Sequence, residues 1–395
     1  MQIVFAGLRK TGRLDLEAIE MATRAAMHRA GAAILAELLE RRPAVAHEVP
    51  CPCGAVAVYR ELRAKQILTV LGALEVWRPY YLCPQCHAGQ SPQDAELDVE
   101  ATECSPGVRR MMALVGSQSS FDQGRQQLAL LAGLTVTTKA VERHAEAIGA
   151  DIAARQQAEI HRALQLQLPE AGGAEIPVVY VEVDGTGVPV VPAETQGRSG
   201  KQEGEAAHTR EAKLGCVFTQ SGLDREGRPL RDEASTTYTG AIEPAEAFGR
   251  RIFAEAYQRG WNRARKRVVM GDGAPWIWNL AEEHFPGALE IVDLYHARDH
   301  LWKLSAQRFP SQPAARQRWA RGLQRKLDQG KIKELVAQLR SFPPPNEELA
   351  ALLRTEADYF ERNAHRMRYP EFKRQKLFVG SGVVEAGCKT MRLLA

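Results

Sequence analysis

The sequence predicts an α/β protein of several domains, α+β taken as a whole, on three observations. Two cysteine pairs, in CPCG and YLCPQCHAG, bracket the alternating stretch AVAVYRELRAKQILTVLGALEVWRPYY, which reads as a hairpin. Helical patterns follow as far as Gln167. Beyond LPEAGGAEIP, residues 168–177, strands alternate with helices, and two of those strands run into an aspartate set among small residues.

From its start, the chain of 395 residues is long enough for two or three domains, and its 45% hydrophobic and 25% charged residues suit a globular protein rather than a disordered one. The formal charge of +4 is unevenly spread. From Arg298 to Lys376 there are 18 Lys and Arg against 9 Asp and Glu, a local +9 that leaves −5 for everything else. Arg24, His28 and Arg29 interrupt the apolar runs of the first forty residues, which argues against a signal peptide or membrane span and for the cytoplasm. Leu14, Ile19, Met21, Ala25, Ile34, Leu38 and Leu39 recur at helical spacing, so Leu14 to Arg41 is expected to form one or two packing helices.

Seven cysteines, an odd number, suit a reducing compartment better than a disulfide framework. Cys51, Cys53, Cys83 and Cys86 stand at the open end of the hairpin, whose closure would gather four thiolates, the ligand set of a structural tetrahedral zinc. The pattern is that of a zinc ribbon with one departure. Cys51 and Cys53 are separated by one residue rather than two to four, which leaves His87 and Cys104 as substitute ligands. Cys216, inside strand-like KLGCVFTQ, is expected in the core.

ECSPGVRRMMALVG opens with Ser105 as an N-cap and Pro106 at the first helical position. A further helix in FDQGRQQLALLAG, a turn at Gly133 and a helix beginning near Thr137 have the order of a helix-turn-helix, whose second helix lies in the major groove of DNA. Lys139, Arg143 and His144 are then the expected readers; a plain helical bundle is the alternative.

VVYVEVDGTGVPV is rich in β-branched residues, so a buried strand is expected to end on Asp184. EAKLGCVFTQ and TTYTGAI are two further strands and EPAEAFGRRIFAEAYQRG is a helix. RKRVVMGDGAPW is a fourth strand finishing on Asp272, and GALEIVDLYHARDH a fifth, carrying Asp293 and His296. In open sheets ligands bind beyond strand ends, and carboxylates clustered there need a cation, for which magnesium and manganese have the right preference for oxygen. Glu182 shares the strand face of Asp184 and is a candidate auxiliary ligand, while Asp293 with His296 reads as a structural hydrogen bond, with a pair that supports the metal-holding acids from behind as the alternative.

Taken in order, CPCG and CPQC, SPGVRRMMALVG, VEVDGTGVPV, TREAKLGCVFTQ, TTYTGAIE, GDGAPWIWNLAEEHFPGA, IVDLYHARDHLW and MRYPEFKRQKLFVGSGVVEAGCKT resemble the ISKra-type family of bacterial insertion-sequence transposases, from about residue 50 to Thr390. The resemblance implies an RNase H-like mixed sheet with a helical insertion, and an Asp-Asp-Glu triad that falls on Asp184, Asp272 and Glu385. It also implies two Mg2+ or Mn2+ ions held by these acids, and DNA strand cleavage followed by strand transfer. Double-stranded transposon ends and target DNA are the implied partners, with a homo-oligomer assembled on them. The residues by themselves do not choose the third acid, since Glu361 and Glu371 are also available. The family continues after CKT with a long helix, whereas this chain stops at MRLLA, so a shortened copy is expected, with a non-catalytic DNA-binding remnant as the alternative to an enzyme.

On this reading the chain comprises an N-terminal helical segment (1–48), a zinc-ribbon-like module (49–100), a helix-turn-helix-like region (101–167), a catalytic core (168–296), a basic helical insertion (297–378) and a final catalytic helix (379–395). Arg316, Arg318, Arg321, Arg325, Lys326, Lys331 and Lys333 would neutralise phosphates, unless they form a solvated helical face. EVDGTG and GDGAPW are also similar to motifs of haloacid-dehalogenase-like phosphatases, but Glu182 would replace the nucleophilic Asp and Trp276 a metal ligand.

Overall fold

A computed structural model describes residues 15–40, 45–165, 173–198 and 207–394. Leu14 and Arg41, the expected ends of the first helix, lie outside these residues, as does the 168–172 part of the linker. Met1–Ala154 and Arg155–Ala395 form two compact units.

The first unit begins with one helix, α1 (Leu16–Glu40). Leu35 and Leu39 pack it on Ile67, Leu74, Val76 and Val99, whereas Leu16, Ile19, Met27, Ile34 and Leu38 stay exposed. The expected packing helix is therefore buried along a narrow stripe only. Four strands, β1 (Glu48–Pro50), β2 (Val56–Thr69), β3 (Gly72–Leu82) and β4 (Gly89–Gln90), form an antiparallel sheet in sequence order. The long β2–β3 hairpin alternates as its sequence does, turning Ile67, Leu74 and Val76 inward and Gln66 and Glu75 outward. A short helix, α2 (Pro92–Glu96), precedes α3 (Pro106–Gln118), whose N-cap Ser105 accepts the Val108 amide. Next come α4 (Phe121–Gln127), a π-helical turn at Leu128–Ala132 and α5 (Thr138–Leu164). Val108, Met112, Leu128, Leu134 and Val141 form their common core.

The second unit is built on a five-stranded mixed sheet. Its strands in chain order are β5 (Ile176–Pro189); β6 (Thr209–Gln220), reached past the single-turn helix α6 (Pro192–Thr195); and β9 (Thr237–Ala241), reached past the small hairpin of β7 (Gly222–Leu223) and β8 (Pro229–Leu230). Then follow α7 (Ala245–Gln258), β10 (Ala264–Gly271), α8 (Pro275–His284) and β11 (Leu289–Val292). The sheet order is β11-β10-β5-β6-β9, with β5, β6 and β9 antiparallel and β10 and β11 parallel to β5. Counted within the sheet this is 3-2-1-4-5 reversed end to end, the RNase H-like arrangement. Helices α9 (Leu294–Arg308), α10 (Pro313–Asp328), α11 (Ile332–Ser341), α12 (Glu347–Arg362) and α13 (Tyr369–Arg374) separate β11 from α14 (Gly382–Leu394).

Phe248 and Ile252 of α7 lie over Gly215, and Ile277 of α8 lies over Gly271, on the Val183 face of the sheet. Each of these fully buried side chains contributes about 1.5–3 kcal/mol of burial. Helix α14 covers the opposite face, where Glu182 and Asp184 point. Strand β5 does not end on Asp184. It continues to Pro189 because β6 pairs with it as far as Thr209, whereas β10 stops at Gly271 and leaves the other edge of β5 open.

Candidate functional site

Met270 of β10 is in register with Glu182 of β5, so two residues further on, Asp272 comes level with Asp184. Asp272 follows directly on the end of β10, as expected. Asp184 Oδ1 accepts the Gly185 amide at 2.7 Å, and Asp272 Oδ1 accepts the Ala274 amide at 2.8 Å. Burial raises the Asp184 carboxyl above its ordinary range and the Asp272 charge adds to this, against the Gly185 amide, the Cys388 thiol and His296. Two carboxylates brought level in this way could hold a cation, and their oxygen donors match the preference of magnesium or manganese. Gly273, at φ +98°, turns the chain after Asp272 and makes room for Tyr359, whose hydroxyl donates to the Asp272 carbonyl at 2.9 Å.

Helix α14 carries Glu385, the third acid the resemblance implies. The Val384 amide donates to Glu182 Oε2 at 3.1 Å, the Cys388 thiol bonds Asp184, and Gly387 packs on Leu214 of β6 and Tyr238 of β9. At roughly 100° of rotation per residue, Gly387 faces β6, Val384 and Cys388 face β5, and Glu385 falls on the side toward β10. Burial, Asp184 and, more weakly, Glu385 push the Cys388 thiol up to about 12. The start of the helix is pinned by Asp293, which accepts the Ser381 amide and hydroxyl as well as the His296 amide at 2.8 Å. Asp293 is thus a helix cap and tie, the structural pairing expected. Glu361 and Glu371 are engaged in ion pairs, with Arg340 at 2.5 Å and Arg368 at 3.1 Å.

Glu182 departs from its expected role as an auxiliary ligand. It is fully buried beneath α14, where desolvation raises it to about 8 and its Oε1 has no partner. It holds the helix instead.

A further chain of polar groups has little signal in the sequence. His296 and His300, one turn apart on α9, are joined Nε2 to Nε2 at 3.2 Å, and His300 Nδ1 donates to Glu356 of α12 at 2.9 Å. His300 stacks on Tyr359 with ring centroids 4.4 Å apart. The i, i+4 spacing of the two histidines in HARDH is visible in the sequence; that Glu356 and Tyr359 meet them is not.

In the first unit the hairpin gathers Cys51, Cys53, Cys83 and Cys86, with all four sulfurs within 4.8 Å of one another. Cys51 lies 3.6 Å from Cys86 and 3.5 Å from Cys53, and Cys53 lies 3.7 Å from Cys83. A tetrahedron with Zn–S bonds of roughly 2.3 Å has edges of about 3.8 Å, so the four fit a structural zinc. The short Cys51–Cys53 spacing works because Gly54, at φ +89°, reverses the chain, donating to the Cys51 carbonyl while Cys51 donates to that of Ala55. The Cys86 amide, foremost among the hydrogen bonds that favour the thiolate, brings Cys83 down to about 6. Neither His87 nor Cys104 belongs to the group, and among the described residues no set of acids is drawn as tightly together.

Lys139 and Arg143 are exposed on α5, Lys139 in an ion pair with Glu142 at 2.6 Å. His144 is no surface reader. It is 8% exposed, because three residues after Val141 it shares the stripe that faces the helical core. Arg318, Arg321 and Arg325 line a cavity with Trp302 and Gln324. None of these three arginines, nor Arg316, Lys326, Lys331 or Lys333, is in an ion pair among the described residues.

The sequence matches no family model and no curated protein. Among solved structures the chain is similar to the Drosophila P element transposase strand transfer complex, at 10% identity and a TM-score of 0.26, over 70% of this chain and 67% of that one. A likeness of that size does not bear on function. No helix among the described residues is long and apolar enough to cross a membrane.

Proposed function

We propose that the chain is a metal-dependent DNA-cleaving enzyme, a transposase of the ISKra-type bacterial insertion-sequence kind, with Asp184, Asp272 and Glu385 as its metal-holding acids. The observation that carries this reading is the two aspartates level with one another at the ends of neighbouring parallel strands; Glu385, on the helix tied to Glu182 and Asp184, is the acid assigned to complete the set. The RNase H-like strand order and the motif-by-motif resemblance support it.

When bound, two divalent ions supply activation of water or a 3′-hydroxyl and stabilise the leaving oxygen of an in-line displacement. The chain itself holds the acids still. The Gly185 amide and Cys388 thiol fix Asp184, while the Ala274 amide and Tyr359 fix the turn at Asp272. Glu182 and Asp293 seat the helix of Glu385. No side chain needs to bond covalently to DNA. Arg316, Arg318, Arg321, Arg325 and Lys326 of the insertion, and Lys139 and Arg143 of α5, contact phosphates of double-stranded ends and target, and two ends call for an oligomer. Zinc on the four cysteines is structural. In this scheme the segments are those of the sequence reading, with the catalytic core split by the insertion.

The phosphatase reading loses ground, because the position of its nucleophile, Glu182, is sealed beneath α14. A DNA-binding remnant remains the second reading, favoured by the absence of an acid group as tight as the thiols among the described residues. The two separate when purified protein is mixed with end-containing DNA and manganese. Nicking that Asp184→Ala and Asp272→Ala both abolish is the expected result; salt-sensitive binding by wild type with no nicking overturns the enzyme reading.

A further inference from the structure

A cavity of about 800 Å³ opens beside Glu385, within the roughly 300–1,000 Å³ typical of ligand pockets. Tyr295, Phe378, Gly380, Lys373 and Lys376 line it together with that acid. Tyr295 is 62% exposed, unusual for so large a ring at a fixed position. It is fixed because the Asp293 cap and the Leu294 amide, bonded to the Val379 carbonyl at 2.8 Å, hold the start of α9. Its edge lies against the backbone at Gly380, and Arg298, itself bound to Asp328 at 2.8 Å, lies over the ring 5.5 Å from its centroid.

The charges around the ring are sorted. Asp224 and Glu226 on the facing hairpin are both taken up by Arg228, each at 2.7 Å. Lys373 and Lys376 are exposed and in no ion pair among the described residues. What remains is a presented aromatic surface in a cavity that also carries two lysines in no ion pair among the described residues and a candidate metal-holding acid.

We propose that this cavity receives an unpaired nucleobase of the DNA strand on which the acidic site acts, stacked on Tyr295, with the flanking phosphates on Lys373 and Lys376. A base inside a duplex has both faces covered by its neighbours, so an aromatic wall of this kind selects a base that is out of the stack. Stacking tolerates any base, since every base has a π-face, so sequence preference is not required of this cavity. The inference rests on the reading of Asp184, Asp272 and Glu385 as a DNA-cleaving site.

The test uses the full chain and two fluorescein-labelled probes, a ten-nucleotide single-stranded thymidine oligomer and a twenty-base-pair duplex. Tyr295→Ala is expected to weaken the single-stranded probe about ten-fold and to leave the duplex unchanged, while Tyr295→Phe keeps both affinities. A duplex bearing 2-aminopurine in a short overhang should be quenched by wild type and Tyr295→Phe and not by Tyr295→Ala. Equal affinity of Tyr295→Ala and wild type for the single strand, or an equal loss on both probes, overturns the proposal. Asp184→Ala separates it from the reading beneath it. Should no protein nick DNA while probe binding still depends on Tyr295, the base cavity stands and the cleavage reading falls; nicking without Tyr295-dependent binding does the reverse.

Discussion

Glu182 has one carboxylate oxygen on the Val384 amide and the other on nothing, at the centre of the sheet. Its role as a tie predicts that Glu182→Ala, which strands that amide, costs about 1–3 kcal/mol in denaturant unfolding. Glu182→Gln keeps an acceptor there and should cost clearly less; equal losses would refute the tie. His144 gives a prediction in pH. Burial, with help from Arg143 and Arg109, lowers its imidazole below the ordinary value. A depressed folded pKa means that its share of stability is fully present above the unfolded value of about 6.5 and is lost as pH falls, because the unfolded chain binds the proton more readily. His144→Met should therefore lose less unfolding free energy than wild type between about pH 7.5 and 5. A pH dependence identical to wild type in urea titrations would count against this.

At the level of elements, the hairpin and the insertion each make one claim. The four sulfurs sit at zinc-ready spacing, so metal analysis should find about one zinc per chain, lost in Cys83→Ser and Cys86→Ser and on chelation, with a lower melting temperature for the hairpin region. Unaltered zinc content in both variants would contradict the assignment. On α10, Arg318, Arg321 and Arg325 share one cavity wall and have no acidic partners among the described residues. If they touch phosphates, replacing all three by alanine flattens the slope of log affinity against log salt by roughly 0.9 for each phosphate no longer neutralised. A solvated face would leave that slope untouched.

Across the whole molecule the question is which glutamate joins two aspartates that stand 88 positions apart along the chain. Glu361 and Glu371 each have an arginine partner, whereas Glu385 rides on the helix tied to both Glu182 and Asp184. Glu385→Gln should abolish manganese-dependent nicking while DNA binding persists, and Glu361→Gln and Glu371→Gln should nick as wild type does. Nicking by Glu385→Gln would move the third acid elsewhere. On the proposed reading the same long-range ties make α14 the element on which the site depends. It is held from distant parts of the chain, so loosening Glu182 or Asp293 displaces Glu385 without touching the aspartates.

The local patterns determined the elements. Alternation placed the β2–β3 hairpin, a β-branched run placed β5, turn-bounded apolar stretches placed β6 and β10, and caps such as Ser105 placed helix starts, because each depends on neighbours a few residues away. The four cysteines, too, are legible by spacing, since a hairpin alone brings them together. Register and burial belonged to the tertiary structure. Nothing near Glu182 distinguishes it from Asp184 until α14, 202 residues away, covers one and leaves the other half open. Nor does the periodicity of α5 say which of Arg143 and His144 turns inward before the core assembles, or the run of β5 say that it continues past Asp184 before β6 pairs with it. These are decided by which distant backbone and side chain come to share a face, a property of the packed chain and of no short stretch of it.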